Sequence, residues 1–171
     1  MEILWTTTMD SFAGPFFSQM KWNMEMSDEE EIEKQAVDEY FEDIHETLPL
    51  YNVLYDYVTT TPISKIKHKN AQDLFFAQTE NGVFYRGHIR AMYLDYTWFK
   101  NLGKCLYITH VIISPRRGQF LHRSLRQLFN ELPMDSIYIE SILSQKVLDS
   151  FVSKGWTQDN NSVILFRNDV K

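Results

Sequence analysis

Apolar and polar residues switch repeatedly between helical and strand periods along the chain. Ile32, Ala36, Val37, Tyr40, Phe41, Ile44 and Leu48 recur at helical spacing. Ser27-Asp28-Glu29-Glu30, just ahead of them, is a capping-box pattern that starts a helix, and Pro49 ends or kinks it. Leu50–Val58 reads as a further short helix and Thr59–Pro62 as a loop. From Asp73 the pattern becomes that of strands. Asp73–Gln78 is apolar and aromatic, and Asn81-Gly82 is a strong hairpin turn because both positions accept positive φ. Val83–Leu94 then returns as a long strand, and Cys105–Ser114, rich in β-branched and aromatic residues, is a third that Pro115 ends. After Gly118 the helical period resumes, with Leu121, Leu125, Leu128, Phe129 and Leu132 on one stripe, until Pro133 closes it. Ser136–Ser141 is a short buried strand. Ser144 caps a helix carrying Val147, Leu148, Phe151 and Val152, with Gly155 at its C′ position. Trp156–Gln158 and Val163–Arg167 form a last hairpin around Asp159-Asn160-Asn161. Strands and helices interleaved in this way give an α/β (α+β) fold class.

Residues 1–26 stand apart as an aromatic and Met-rich segment. Ile3–Thr8 reads as a strand. Phe12, Phe16, Phe17, Met20 and Trp22, interrupted by Gly14-Pro15, read as a helix or an apolar arm. Such residues either pack on their own domain or dock on a partner protein, since exposed aromatic clusters mark interaction surfaces. Residues 27–171 form the main domain, and no internal repeat or low-complexity linker divides it.

At 171 residues the chain fits one domain, and a 44% hydrophobic content supplies a core and argues against disorder. The net charge of −6 argues against general nucleic-acid binding, which needs a broad positive face. The acidic excess sits largely in Asp28–Glu46, whereas Arg116–Arg126 is locally basic and leaves room for one anionic ligand. The single cysteine, Cys105, cannot form an internal disulfide and reads as a small buried hydrophobe in a reducing, cytoplasmic setting. No apolar run approaches the roughly 18 residues of a membrane span, and the first residues lack the pattern of a secretory signal. No metal-ligand cluster, carboxylate pair or Ser-His-Asp arrangement stands out.

From about Asp73 to Arg167 the order of elements resembles the GNAT family of acyltransferases. The best local match is the stretch 111–125, Val-Ile-Ile-Ser-Pro-Arg-Arg-Gly-Gln-Phe-Leu-His-Arg-Ser-Leu. The family pattern is an apolar strand, a proline, then Arg-Gly-x-Gly-x-Gly/Ala running into a helix. Arg117-Gly118 matches its Arg-Gly pair and Gln119 its variable position, with a loop one residue shorter than usual. Phe120 stands at the second glycine and His122 at the third small residue. Further on, Ser144 falls at the family's Asn position, Phe151 at its Tyr position, and Gly155-Trp156 at its closing Gly-aromatic pair.

The resemblance implies a mixed, mostly antiparallel central sheet flanked by helices. It implies acetyl-CoA as cofactor, an amine as substrate and direct acyl transfer between them. Val111 and Ile113 would offer backbone groups to the pantetheine arm, and Arg117, Gly118, Gln119, Phe120, Leu121, His122, Arg123 and Ser144 would complete the cofactor site. A helix N-terminus presents unpaired N–H groups and a partial positive charge, which suits a pyrophosphate. Arg116, Arg117, His122 and Arg123 crowd that helix start, where an anion would relieve their conflict with the helix dipole. If the loop keeps its shape, Phe120 and His122 either point away from the phosphates or block them. His110 and Glu140 are the candidate general bases. Phe151 lacks the hydroxyl that in many members protonates the departing thiolate. A similarly eroded pattern occurs in an internal virion protein of several short-tailed bacteriophages. The alternative is therefore a catalytically inactive GNAT-fold protein working through protein contacts, in a virion if phage-encoded.

Overall fold

Strict alternation of two buried sets organises the sheet. The computed structural model describes residues 3–5, 48–65, 71–114 and 118–167. Three antiparallel strands, β2 (Gln72–Glu80), β3 (Val83–Asp95) and β4 (Lys104–Ser114), lead into β5 (Ser136–Ile139), which lies parallel to β4. The hairpin β6 (Thr157–Asp159) and β7 (Ser162–Phe166) completes the order β2-β3-β4-β5-β7-β6, and β1 (Ile3–Trp5) pairs with β4. The fold is thus a mixed, mostly antiparallel α/β sheet: among the described strands the β4–β5 pair is parallel and the others antiparallel, and an isolated bridge joins Ser64 in parallel to Leu94. The helix expected over Ser27–Leu48 lies outside the described residues up to residue 47, as does the arm around Phe12–Trp22, while Leu48 itself is exposed and not helical.

One face of the sheet carries the described helices α1 (Leu50–Thr60), α2 (Gly118–Glu131) and α3 (Gln145–Val152). Leu106 and Ile108 of β4, Ile137 and Ile139 of β5, and Val163 and Leu165 of β7 join the buried stripes of all three helices in one cluster. The alternate residues Cys105, Tyr107, Tyr138 and Ile164 point the other way, into a second cluster with Met92, Leu94, Tyr96 and Leu102. A period of two along each strand dictates this division.

The ends of the elements are fixed by specific partners. Asn81 and Gly82 take φ of 50° and 74°, the conformation a two-residue hairpin turn requires. The first N–H of α1, on Leu50, donates to the Gln78 side chain at 3.1 Å in place of a side-chain N-cap of its own. Arg167 fastens the end of α2, donating to the Phe129 carbonyl in its last turn and to the Leu132 and Met134 carbonyls just beyond it. Ser144 caps α3 as expected, accepting from Val147 N–H. Gly155, at φ 85°, lies two residues beyond the C-cap Ser153 and ends an extra turn after the helix. The last turn is Asn160-Asn161, and β6 starts at Thr157, leaving Trp156 in the core.

Candidate functional site

The centre of β4 holds a defect that the sequence pattern conceals. Arg90 of β3 faces His110, but Ala91 faces Ile108, so Thr109 is an extra residue in β4. This β-bulge reverses the in–out phase of the strand. Before it Leu106 and Ile108 face the helices; after it Val111 and Ile113 do, and His110 turns to the second face. Thr109 donates its hydroxyl to the Arg90 carbonyl at 3.3 Å. On β3, where its pairing with β2 ends at Ala91, the Tyr57 hydroxyl donates to Ala91 O at 3.0 Å and accepts from Tyr93 N at 3.2 Å. It thereby bridges two backbone groups at the end of that pairing.

The bulge also marks a fork. One edge of β4 pairs with β3 from Lys104 to Ser114. The other edge is shared. β5 takes Cys105–Ile108, and the Glu140 N–H adds a last hydrogen bond to Ile108 O at 2.9 Å. Ser141 then turns at φ 51°, its N–H donates to Ser162 Oγ at 3.1 Å, and the Ile142 N–H donates to Asn161 O, so the chain leaves β4 for the β6–β7 hairpin. Beyond that point Val111–Ile113 of β4 pairs antiparallel with Trp5–Ile3 of β1. These are the backbone groups that the sequence assigns to an extended cofactor arm.

The remaining candidates divide into three groups. Gly118 opens α2, and Gln119 beside it is exposed, while Arg117 lies outside the described residues. Phe120 and Leu121 are core residues. Phe120 is 3% exposed, and its ring stacks on Tyr85 at 5.0 Å within the core. His122 is half-buried. Its Nδ1 accepts from the Trp156 indole N–H at 3.1 Å, and its ring packs edge-on to Phe151.

Of the expected cations, His122 and Arg123 are described, and Arg116 and Arg117 lie outside the described residues. Burial, then the nearby charges of Lys154 and Arg126, push the His122 pKa down to about 4, so it is neutral near pH 7. Arg123 pairs with Glu80, and Arg126 donates to Lys154 O at 2.7 Å. Ser144 is buried beneath its cap, and Phe151 packs edge-on to Trp156 at 4.8 Å.

His110 and Glu140 share the second face on neighbouring strands. His110 is 4% exposed, with its ring 5.1 Å from His88. His88 stacks on Phe75 and meets Asp73 Oδ1 at 2.8 Å, and Arg90 Nε donates to the same oxygen at 2.9 Å. Burial raises the Asp73 pKa, but the hydrogen bonds from Arg90 and His88 outweigh it and hold the carboxyl below its usual range. Glu140 is half-buried and hydrogen-bonds Tyr107. Burial, then the Glu140 charge and hydrogen bond, raise the Tyr107 pKa, so its hydroxyl stays protonated. Tyr107 stacks on Tyr138 at 4.8 Å, and Lys100 Nζ donates to the Tyr138 hydroxyl at 2.7 Å and pairs with Asp159 at 3.2 Å. Sequence reading missed both the Asp73–His88 pair and the tyrosine stack. Cys105 beside them is fully buried and its thiol is pushed up to about 12, which makes it inert.

Among the described residues no three His, Cys, Asp or Glu side chains converge on a metal-sized site, and no helix is long and apolar enough to cross a membrane. The chain matches no protein-family model, no curated protein and no solved structure.

Proposed function

We propose that the chain is a GNAT-like domain that binds an acyl-coenzyme A and transfers its acyl group to an amine. The observation that carries this reading is the fork: a bulged β4, a parallel β5 that leaves it at Ser141, and an edge over Val111–Ile113, taken by the three-residue β1, that leads to the start of α2. An extended arm bearing amides fits that edge, because the edge already holds an extended backbone. Gly118 and the first N–H groups of α2 suit an anion, and the Phe120 ring is packed in the core. The strand order supports the family resemblance, with its lone parallel pair at the fork.

In this reading the bound acyl-coenzyme A supplies the reactive thioester. Glu140 takes the proton the amine loses as its nitrogen bonds to the acyl carbon and the carbon–sulfur bond breaks. Tyr107 keeps the Glu140 side chain in place through its protonated hydroxyl. His110 is the less accessible candidate, being enclosed on the second face beside His88. Phe151 supplies no proton to the departing sulfur, which returns to solvent as thiolate or takes a proton from water.

A second reading is a non-catalytic protein that works through protein contacts. The buried Phe151 favours it, since the ring packs on Trp156 and contributes nothing but core. Thermal unfolding with millimolar acetyl-coenzyme A separates the two. Ligand at about 100 times its dissociation constant adds roughly 2.7 kcal/mol to a protein that binds only when folded. A raised unfolding temperature, with amine-dependent thiol release that Glu140→Gln abolishes, supports the transferase. Binding without thiol release for any amine supports the second reading.

A further inference from the structure

We propose that β1 is a built-in competitor for the acyl carrier, so that the β4 edge holds either β1 or the carrier arm and never both. The inference rests on the acyl-coenzyme A reading above and adds a regulatory step to it. A strand has two hydrogen-bonding edges, and over Val111–Ile113 β3 takes one and β1 the other. The carrier arm therefore has no free edge there until β1 leaves.

Three features make β1 displaceable without loss of the site. It is three residues long, and among the described strands it pairs with β4 alone. A strand this short, on one partner, is marginal by itself. The fork does not depend on it: the Ser141 turn and the hydrogen bonds of Ser141 and Ile142 to the β6–β7 hairpin hold β5 away from β4. The site half of β4 stays anchored as well, with Val111 and Ile113 buried among the helices and Gly87–Ile89 paired on its far edge. Exchange then replaces the backbone hydrogen bonds of β1 with those of another amide-bearing chain. A site open for a tenth of the time binds about tenfold more weakly than one always open.

The test uses the full chain and acetyl-coenzyme A, with binding measured by calorimetry. Successive N–H groups of a strand point to opposite sides, so proline at both Leu4 and Trp5 removes a donor facing β4 in either register. Leu4→Pro/Trp5→Pro is expected to bind at least about tenfold more tightly than the unmodified chain. Leu4→Cys/Ile112→Cys places cysteines on directly opposed positions. Its oxidised form is expected not to bind, and reduction is expected to restore binding. This second variant decides the matter if the prolines unfold the protein. Equal affinity for the unmodified chain, the proline variant and the oxidised cysteine variant overturns the competition but leaves the acyl-coenzyme A reading standing. Folded proteins that bind in no form overturn both.

Discussion

The two halves of β4 on either side of the Thr109 bulge are built from the same kind of residue and have different fates. Cys105–Ile108 lies between β3 and β5, and both faces of that half are packed. Val111–Ile113 has the same β3 partner and an equally buried helix-facing side, but its second edge meets only β1. The difference therefore lies in the edge and not in the core. One extra residue in β4 and one left-handed residue after β5 mark where the two halves part.

The largest expected effect tests whether the site half is as firmly packed on its helix face as the other half. Phe120→Ala empties the place of a ring stacked on Tyr85 and is expected to cost about 3–5 kcal/mol in denaturant unfolding. A loss below about 1 kcal/mol would show that Phe120 is not in the core, and would return it to the loop as a block on the anion site. The edges come next. Ile137→Pro in β5 removes a buried ladder position and is expected to cost about 3 kcal/mol or more. Leu4→Pro/Trp5→Pro in β1 is expected to cost about 1 kcal/mol, the net worth of a backbone hydrogen bond. Similar costs for the two would erase the contrast between the halves.

At the boundary between the halves, Tyr57→Phe leaves Ala91 C=O and Tyr93 N–H without their partner and is expected to cost about 1–3 kcal/mol. The smallest effect is one of pH. The folded-state pKa of His122 lies near 4, below its ordinary value of about 6.5. Between those values the unfolded chain binds the extra proton, so stability falls as pH falls through that window. His122→Gln can still accept from the Trp156 indole, and it is expected to flatten the fall in unfolding temperature from pH 6.5 to pH 4. An unchanged slope would place the titration elsewhere.

Local signals in the sequence carried the elements well. Asn81-Gly82, the Leu121–Leu132 stripe and the Ser144 cap all lie where their chemistry puts them, because each acts within a few residues. The Asn-Gly turn even fixes the register that sets Asp73 opposite Arg90 and Phe75 opposite His88, so that polar cluster was within reach of the sequence. Two features were not. The bulge falls at Thr109-His110, two polar residues inside the otherwise apolar run Leu106–Ile113, and nothing local assigns either of them to a face. The β1–β4 pairing joins residues more than a hundred positions apart, and nothing in the period of Ile3–Trp5 names its partner. The substituted glycines of the loop were visible, but their meaning was not. Phe120 and His122 read equally as plugs or as core, and only their contacts with Tyr85 and Trp156 choose the second.

Amide hydrogen exchange at Ile3–Trp5 and Val111–Ile113, measured with and without saturating acetyl-coenzyme A, tests the account most directly. The account predicts that bound acetyl-coenzyme A strips protection from Ile3–Trp5 while Val111–Ile113 stays protected, since one extended partner replaces another on the same edge. Binding that leaves Ile3–Trp5 as protected as before would contradict it.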